Sequence, residues 1–339
     1  MLTVPAFIDL HVHLREPGQT HKGDIAHETR AALAGGFRTV LAMPNTLPPP
    51  DTPERFRQLQ RLLEEKAACR AIPCACMTQD RAGRRPAPLP ALREAGAMAF
   101  SDDGSTTQDC AVMREVAWMA AQVDAPLVDH CEDGPSSREG EIRMVERDIL
   151  LAQETGARFH LQHLSAREAV ELLRQARRDG LPVTGEATPH HLALTSAALE
   201  RWGADAKMAP PLREEADRLA LVQAVAEGVI TVIATDHAPH SPEEKALPFP
   251  QAPNGILGLE SAFSVCNRVL VKSGAMSLEA LLERLTTGPA QVLGLPLPQE
   301  TIDLEPEGDF PIPPPRFSRA RNSPWTGFPG WGRILPPRA

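Results

Sequence analysis

Apolar positions along this chain follow two rhythms. Short runs of mostly apolar residues alternate with longer segments in which apolar residues recur every three or four positions. The short runs predict strands over Phe7–His11, Arg38–Met43, Ala71–Met77, Ala97–Ser101, Pro126–Asp129, Arg158–His163, Pro182–Glu186 and Thr231–Thr235. The longer segments predict helices over Glu54–Ala68, Ala111–Val123, Arg143–Thr155, Arg167–Asp179 and Glu214–Glu227. Glycine or proline punctuates the joints, as at Gly35-Gly36, Gly96, Gly156, Gly180 to Pro182 and Gly228. Eight strand-then-helix units between residues 7 and 235 predict an α/β fold, a (β/α)8 TIM-type barrel rather than an open sheet. In such a barrel, chemistry gathers at the carboxyl ends of the strands.

Further helix is expected over 260–295, and the character changes at Pro296. The expected organisation is therefore a barrel over 1–295 and a Pro-rich C-terminal segment over 296–339, read as an irregular β appendage or a strap over the barrel. Composition narrows the picture only a little. The net charge of −9 argues against non-specific nucleic-acid binding, which needs a basic surface. No apolar run approaches the roughly 20 residues of a membrane helix. The first strand starts close to Met1, so no signal peptide is expected, and a cytoplasmic, soluble protein follows. Six scattered cysteines, with Cys74 and Cys76 in a strand-like run, read as reduced, buried thiols.

The reactive residue types fall where the barrel would put them. His11 and His13 end the first strand, and a period of two turns both imidazoles to one face. Asp236 closes the eighth strand, a neighbour of the first in a closed barrel, and could ligate metal and shuttle a proton. His130 follows strand five. His160 and His163 on strand six have opposite parity, and His163 sits nearer the barrel mouth. Asp102 and Asp103 after strand four alternate in direction, so one of them is placed to bridge two cations while the other forms the turn. The placement of the His11/His13 pair at a strand end favours a metal site, whereas His130 or His163 alone reads equally well as a core residue; the set at successive strand ends points to a metal site.

The segment Asp9-Leu10-His11-Val12-His13-Leu14-Arg15-Glu16-Pro17-Gly18 resembles the first signature of the dihydroorotases. Ala234-Thr235-Asp236-His237-Ala238-Pro239-His240, with Lys245 beyond it, resembles the second. Met43–Thr46, Phe100–Gly104, Asp129–Asp133, Thr188–His191 and Asn322-Ser323-Pro324 resemble further landmarks in order. The likeness spans nearly the whole chain. It is strongest for the bacterial type I enzymes, in which Asp replaces a carboxylated Lys bridge. The resemblance implies an amidohydrolase-superfamily barrel with a truncated β-sandwich remnant, one or two Zn²⁺ ions, and the reversible cyclisation of N-carbamoyl-L-aspartate to L-dihydroorotate in pyrimidine synthesis. His11, His13, His130, His163 and Asp236 would be zinc ligands, Asp103 the bridge, and Asp236 also the catalytic acid–base. His13, Arg15, Asn45 and His240 would meet the substrate and its carboxylate, with Asn254 and Gly255 beside them. His190 and His191 read as structural.

Four departures from the family stand out. Ala209 replaces a usual Asn, the 132–146 stretch is short, the amino-terminal sandwich strands are absent and the tail is abbreviated. Two alternatives follow. One is a hydantoin- or allantoin-directed cyclic amidase, although such relatives carry Lys at the strand-four position. The other is a weakly active or inactive subunit supporting aspartate transcarbamoylase. That partner and a homodimer are both compatible with the sequence.

Overall fold

A computed structural model describes residues 1–134 and 136–336. Its strands are β1 (Leu2–Pro5), β2 (Phe7–Val12), β3 (Phe37–Ala42), β4 (Arg70–Pro73), β5 (Ala75–Cys76), β6 (Phe100–Ser101), β7 (Leu127–Asp129), β8 (Phe159–Leu161), β9 (Val183–Ala187), β10 (Val232–Ile233), β11 (Thr301–Pro311) and β12 (Pro329–Ile334). One parallel ladder runs β2-β3-β4 and a second runs β5 through β10 in order. The two are a single ring. β4 and β5 form one strand interrupted at Cys74, whose N–H donates to Ala42 O while Ala75 N–H donates across to Ala99 O. The remaining seam is closed by a parallel bridge between Val12 and His237, with His13 N–H donating to His237 O at 2.9 Å.

The expected barrel is thus present, with each expected strand in its place. β2 is buried along its whole length, as parallel strands covered on both faces must be. Ile8, Leu10, Leu41, Met43, Ile72, Cys74, Val128, Val232 and Ala234 form one core cluster. Phe7, Phe37, Phe100, Phe159 and Val183 pack in a larger one with residues of the surrounding helices. Helices fill the joints at Pro53–Lys66, Cys110–Gln122, Arg138–Thr155, Arg167–Arg178 and Glu215–Ala226. The third of these starts five residues before the expected Arg143, because Ser137 caps it by accepting Gly140 N–H. Two helices carried too weak a pattern to be expected. Ile25–Ala34 is short and Ala-rich, started by Asp24 accepting His27 N–H, and Leu89–Glu94 is barely two turns.

The tail differs from an irregular appendage. β11 pairs antiparallel with β12 and, on its other side, with β1, in the register Leu2↔Leu304 to Pro5↔Thr301. The small sheet therefore takes strands from both ends of the chain. Thr301-Ile302-Asp303-Leu304-Glu305 alternates as a half-buried strand should, with Ile302 and Leu304 buried. Between β11 and β12 the chain leaves the sheet and crosses back to the barrel. Among the described residues, no helix is long and apolar enough to cross a membrane.

Candidate metal centre and substrate cleft

The strand ends bring six side chains to one point. His11 Nε2 lies 3.2 Å from Asp103 Oδ1 and 3.4 Å from Asp236 Oδ1. His13 Nε2 lies 3.0 Å from Asp236 Oδ1 and 3.5 Å from Asp103 Oδ2. On the other side, His130 Nδ1 lies 3.5 Å from Asp103 Oδ1 and 2.8 Å from His163 Nε2. All six are buried. His160, by contrast, is tied below the cluster to Thr184 and Glu186. Asp102 turns away from it, accepting the N–H groups of Met77 and Thr78 and the hydroxyls of Thr78 and Thr107. Of the two adjacent aspartates only Asp103 faces the cluster, as their alternation requires.

This donor set fits a metal. The triads His11/His13/Asp236 and His11/Asp103/His163 each offer ligand atoms within 4.8 Å of one another. His11 Nε2 is buried with no hydrogen-bond partner, so its lone pair is left for something other than protein. Imidazole nitrogens and carboxylate oxygens in such a set suit a borderline cation such as zinc. The outer nitrogens are already engaged. Glu186 Oε1 sits 2.8 Å from His11 Nδ1 and Glu132 Oε2 sits 2.9 Å from His130 Nε2, while the Asn45 amide sits 2.9–3.1 Å from His13 Nδ1. Such partners fix the tautomer and aim the inner nitrogen at a metal.

The electrostatics follow the same geometry. Burial works against a charged His130, yet Asp103 and Glu132 outweigh it and hold its pKa up at about 10. Burial and the nearby His130 and His11 push His163 well below its ordinary value. Burial would raise Glu186, but His11 and His160 draw it down to about 2. Three residues of the cluster and its rim, Arg15 (φ 63°), His163 (φ 30°) and Asp236 (φ 46°), sit in left-handed backbone conformations rarely adopted by side-chain-bearing residues. Strained backbone concentrates where a side chain must be aimed regardless of local cost.

Above the cluster opens a cleft of about 460 Å³. Every expected substrate-facing residue lines it: His13, Arg15, Asn45, His240, Asn254 and Gly255. Arg15 donates through Nε to Pro239 O at 3.0 Å and places Nη2 3.2 Å from His240 Nε2. Burial, with Arg15 alongside, pushes His240 down to about 3. Its ring is therefore neutral at neutral pH and Nε2 accepts from Arg15. Gly255 has no room for a side chain, since a Cβ would stand 2.6 Å from Ala238 O. Its N–H is already given to Lys207 O at 2.8 Å and its carbonyl accepts Asn322 Nδ2 at 2.9 Å. A free backbone group at Gly255 is thus limited to one carbonyl lone pair. Ala209 lines the same wall without a polar atom in its side chain. His191 is held structurally, between Thr188 Oγ1 and Pro210 O. Cys131 turns from the cluster toward Asp129 O and Asp148.

Sequence reasoning did not single out Glu186, and it met Asn322 only within the Asn322-Ser323-Pro324 landmark, without a role. Glu186 carried one usable signal, a carboxylate near the end of a buried strand, where a charge needs a partner.

A closed parallel barrel with histidines and aspartates at its strand ends, beneath an arginine-bearing cleft, defines a metal-type amidohydrolase. The first 146 residues match the family model described as Dihydro-orotase-like. The chain is 42% identical to a dihydroorotase of Geobacillus thermodenitrificans (strain NG80-2), over 97% of this chain and 84% of that one. It is 40% identical to a dihydroorotase of Staphylococcus aureus (strain Mu50), over 98% and 85%. The chain belongs to the dihydroorotase family and is an enzyme acting on cyclic amides. The fold also matches the L-hydantoinase (dihydropyrimidinase) of Arthrobacter aurescens, with a TM-score of 0.88 at 24% identity over 98% of this chain and 83% of that one. A dihydropyrimidinase from Brevibacillus agri NCHU1002 gives 0.86 at 20% identity over 98% and 82%.

Proposed function

We propose that the chain is a zinc-dependent dihydroorotase that interconverts N-carbamoyl-L-aspartate and L-dihydroorotate, with Asp236 moving the proton. The supporting observation is the place of Asp236 Oδ1, 3.0 Å from His13 Nε2 and 3.4 Å from His11 Nε2, on the wall of the cleft that carries Arg15 and His240. His11, His13, Asp103, His130, His163 and Asp236 would hold zinc. When bound, zinc supplies a polarised carbonyl and a water acidified toward a pKa of about 7. In the hydrolytic direction a water oxygen adds to the ring amide carbon and the carbon–nitrogen bond breaks. Asp236 takes the water's proton and returns it to the departing nitrogen.

Arg15 gives the cleft its acid preference, because a guanidinium can meet both oxygens of a carboxylate. His240, Asn45 and the Asn254–Gly255 wall would orient the ring beside it. L-Dihydroorotate and hydantoin differ in that carboxylate and in ring size, and hydantoin is the substrate of the rival cyclic-amidase reading, which makes them the discriminating pair. Parallel turnover assays are expected to favour L-dihydroorotate by at least ~10²-fold, the scale of a buried charge-assisted contact. Equal or greater turnover of hydantoin would reject the assignment. Repeating the assay with aspartate transcarbamoylase present tests the supporting-subunit reading, which the apolar Ala209 wall favours. In that case turnover rises only with the partner.

A further inference from the structure

The substrate-facing loops meet at one bridge, His237 with Ile256, where Ala238 N–H donates to Ile256 O at 3.0 Å, and the C-terminal segment adds the ties beyond it. After β11 the chain leaves the small sheet and is strapped to the barrel by two glutamates. Glu260 accepts the N–H groups of Arg316 and Phe317 at 3.0–3.1 Å. Glu28, which pairs with His237 Nε2 at 2.9 Å, accepts Arg319 N–H at 3.3 Å. This strap delivers Asn322, buried at 3% exposure, to the back of the cleft.

Asn322 uses its whole side chain there. Oδ1 accepts His240 N–H at 3.1 Å, while Nδ2 donates to Ala238 O at 2.9 Å and to Gly255 O at 2.9 Å. Its own backbone carbonyl accepts Leu257 N–H at 3.0 Å. One amide thereby ties the loop after β10 to the Asn254–Leu257 segment. No residue with a single polar atom can do this, because the clamp needs one acceptor and two donors in one plane. Neither loop has regular structure at His240 or Gly255, so the amide supplies bonds that a ladder would otherwise provide.

We infer that Asn322 is a positioning residue for substrate binding, acting from the C-terminal segment through His240 and Gly255. This inference rests on the reading of that cleft as the dihydroorotate site. Asn322 contacts none of the six metal-cluster residues through its side chain, so its effect falls on substrate affinity and not on the metal-dependent step.

The test compares wild type with Asn322→Ala and Asn322→Asp, in full-length protein with zinc content measured. Asn322→Asp keeps the shape and the acceptor for His240 but turns an anionic oxygen toward two carbonyls. The expected result is a KM for L-dihydroorotate raised about tenfold in Asn322→Ala and more in Asn322→Asp, with kcat within about threefold of wild type and zinc content unchanged. Amide hydrogen exchange should quicken in peptides covering 236–241 and 253–258 and stay at wild-type rates in those covering 127–134 and 159–165. Exchange also separates the two readings. If wild type fails to turn over L-dihydroorotate but the local exchange change appears, the clamp stands and the substrate assignment falls. Unchanged KM and unchanged local exchange overturn the inference. So does a joint loss of kcat, zinc and protection throughout the barrel, or failure of both variants to fold, since each marks a general structural role.

Discussion

The two halves of this site are built in different ways. The metal half sits on the ends of parallel strands, and three of its four histidines are aimed by a partner outside the cluster. Glu186 holds His11, Glu132 holds His130 and the Asn45 amide holds His13. The substrate half sits on loops that the C-terminal segment must pin through Asn322, and one wall is the apolar Ala209. A scaffold of strands tolerates little change in the first half. The second half can drift without loss of the metal cluster. Chemistry and affinity should therefore separate under mutation.

Four changes test that separation. Asp236→Asn removes the proposed proton carrier and one proposed metal donor, and kcat is expected to fall by at least 10²–10⁴-fold, measured on zinc-loaded protein. Residual turnover within tenfold of wild type would contradict the role. Glu186→Gln keeps the shape but weakens the hold on His11. Zinc affinity or activity should drop roughly 10–100-fold, read by competition with a chelator.

Ala209→Asn adds a polar group to the substrate wall. One recovered hydrogen bond of about 0.5–1.5 kcal/mol should lower KM by a few-fold with kcat little changed. A higher KM would show that the wall is shaped for an apolar contact.

The smallest effect at neutral pH concerns His191, whose pKa burial lowers from 6.5 to about 4. The unfolded chain binds a proton that the folded chain refuses in that window. Stability is therefore full above about pH 6.5 and declines as pH falls toward 4. His191→Gln should flatten that part of the acid limb in urea titrations of the metal-free protein.

The barrel was legible because parallel strands leave nearly continuous apolar runs and glycine marks their joints. His11, His13, His130, His163 and Asp236 were legible because strand ends are fixed points in that fold. Asp103 against Asp102 was not decided by alternation alone and needed the resemblance to a known family. The structure places Asp103 in the cluster and ties Asp102 to Thr78. Glu186 was hidden because its partners, His11 and His160, come from other strands. Asn322 was visible as part of a family landmark, but its role was hidden, because its side-chain contacts lie 67 to 84 residues away along the chain. The small sheet was masked by the prolines around it, although the alternation over Thr301–Glu305 was there to be read.

The most direct test of the whole account is hydrolysis of L-dihydroorotate by purified protein with bound zinc determined on the same sample. The same sample is then stripped by a chelator and reloaded. The account predicts stereospecific turnover that scales with bound zinc, vanishes on stripping and returns on reloading. Bound zinc without turnover, or turnover indifferent to zinc, would contradict it.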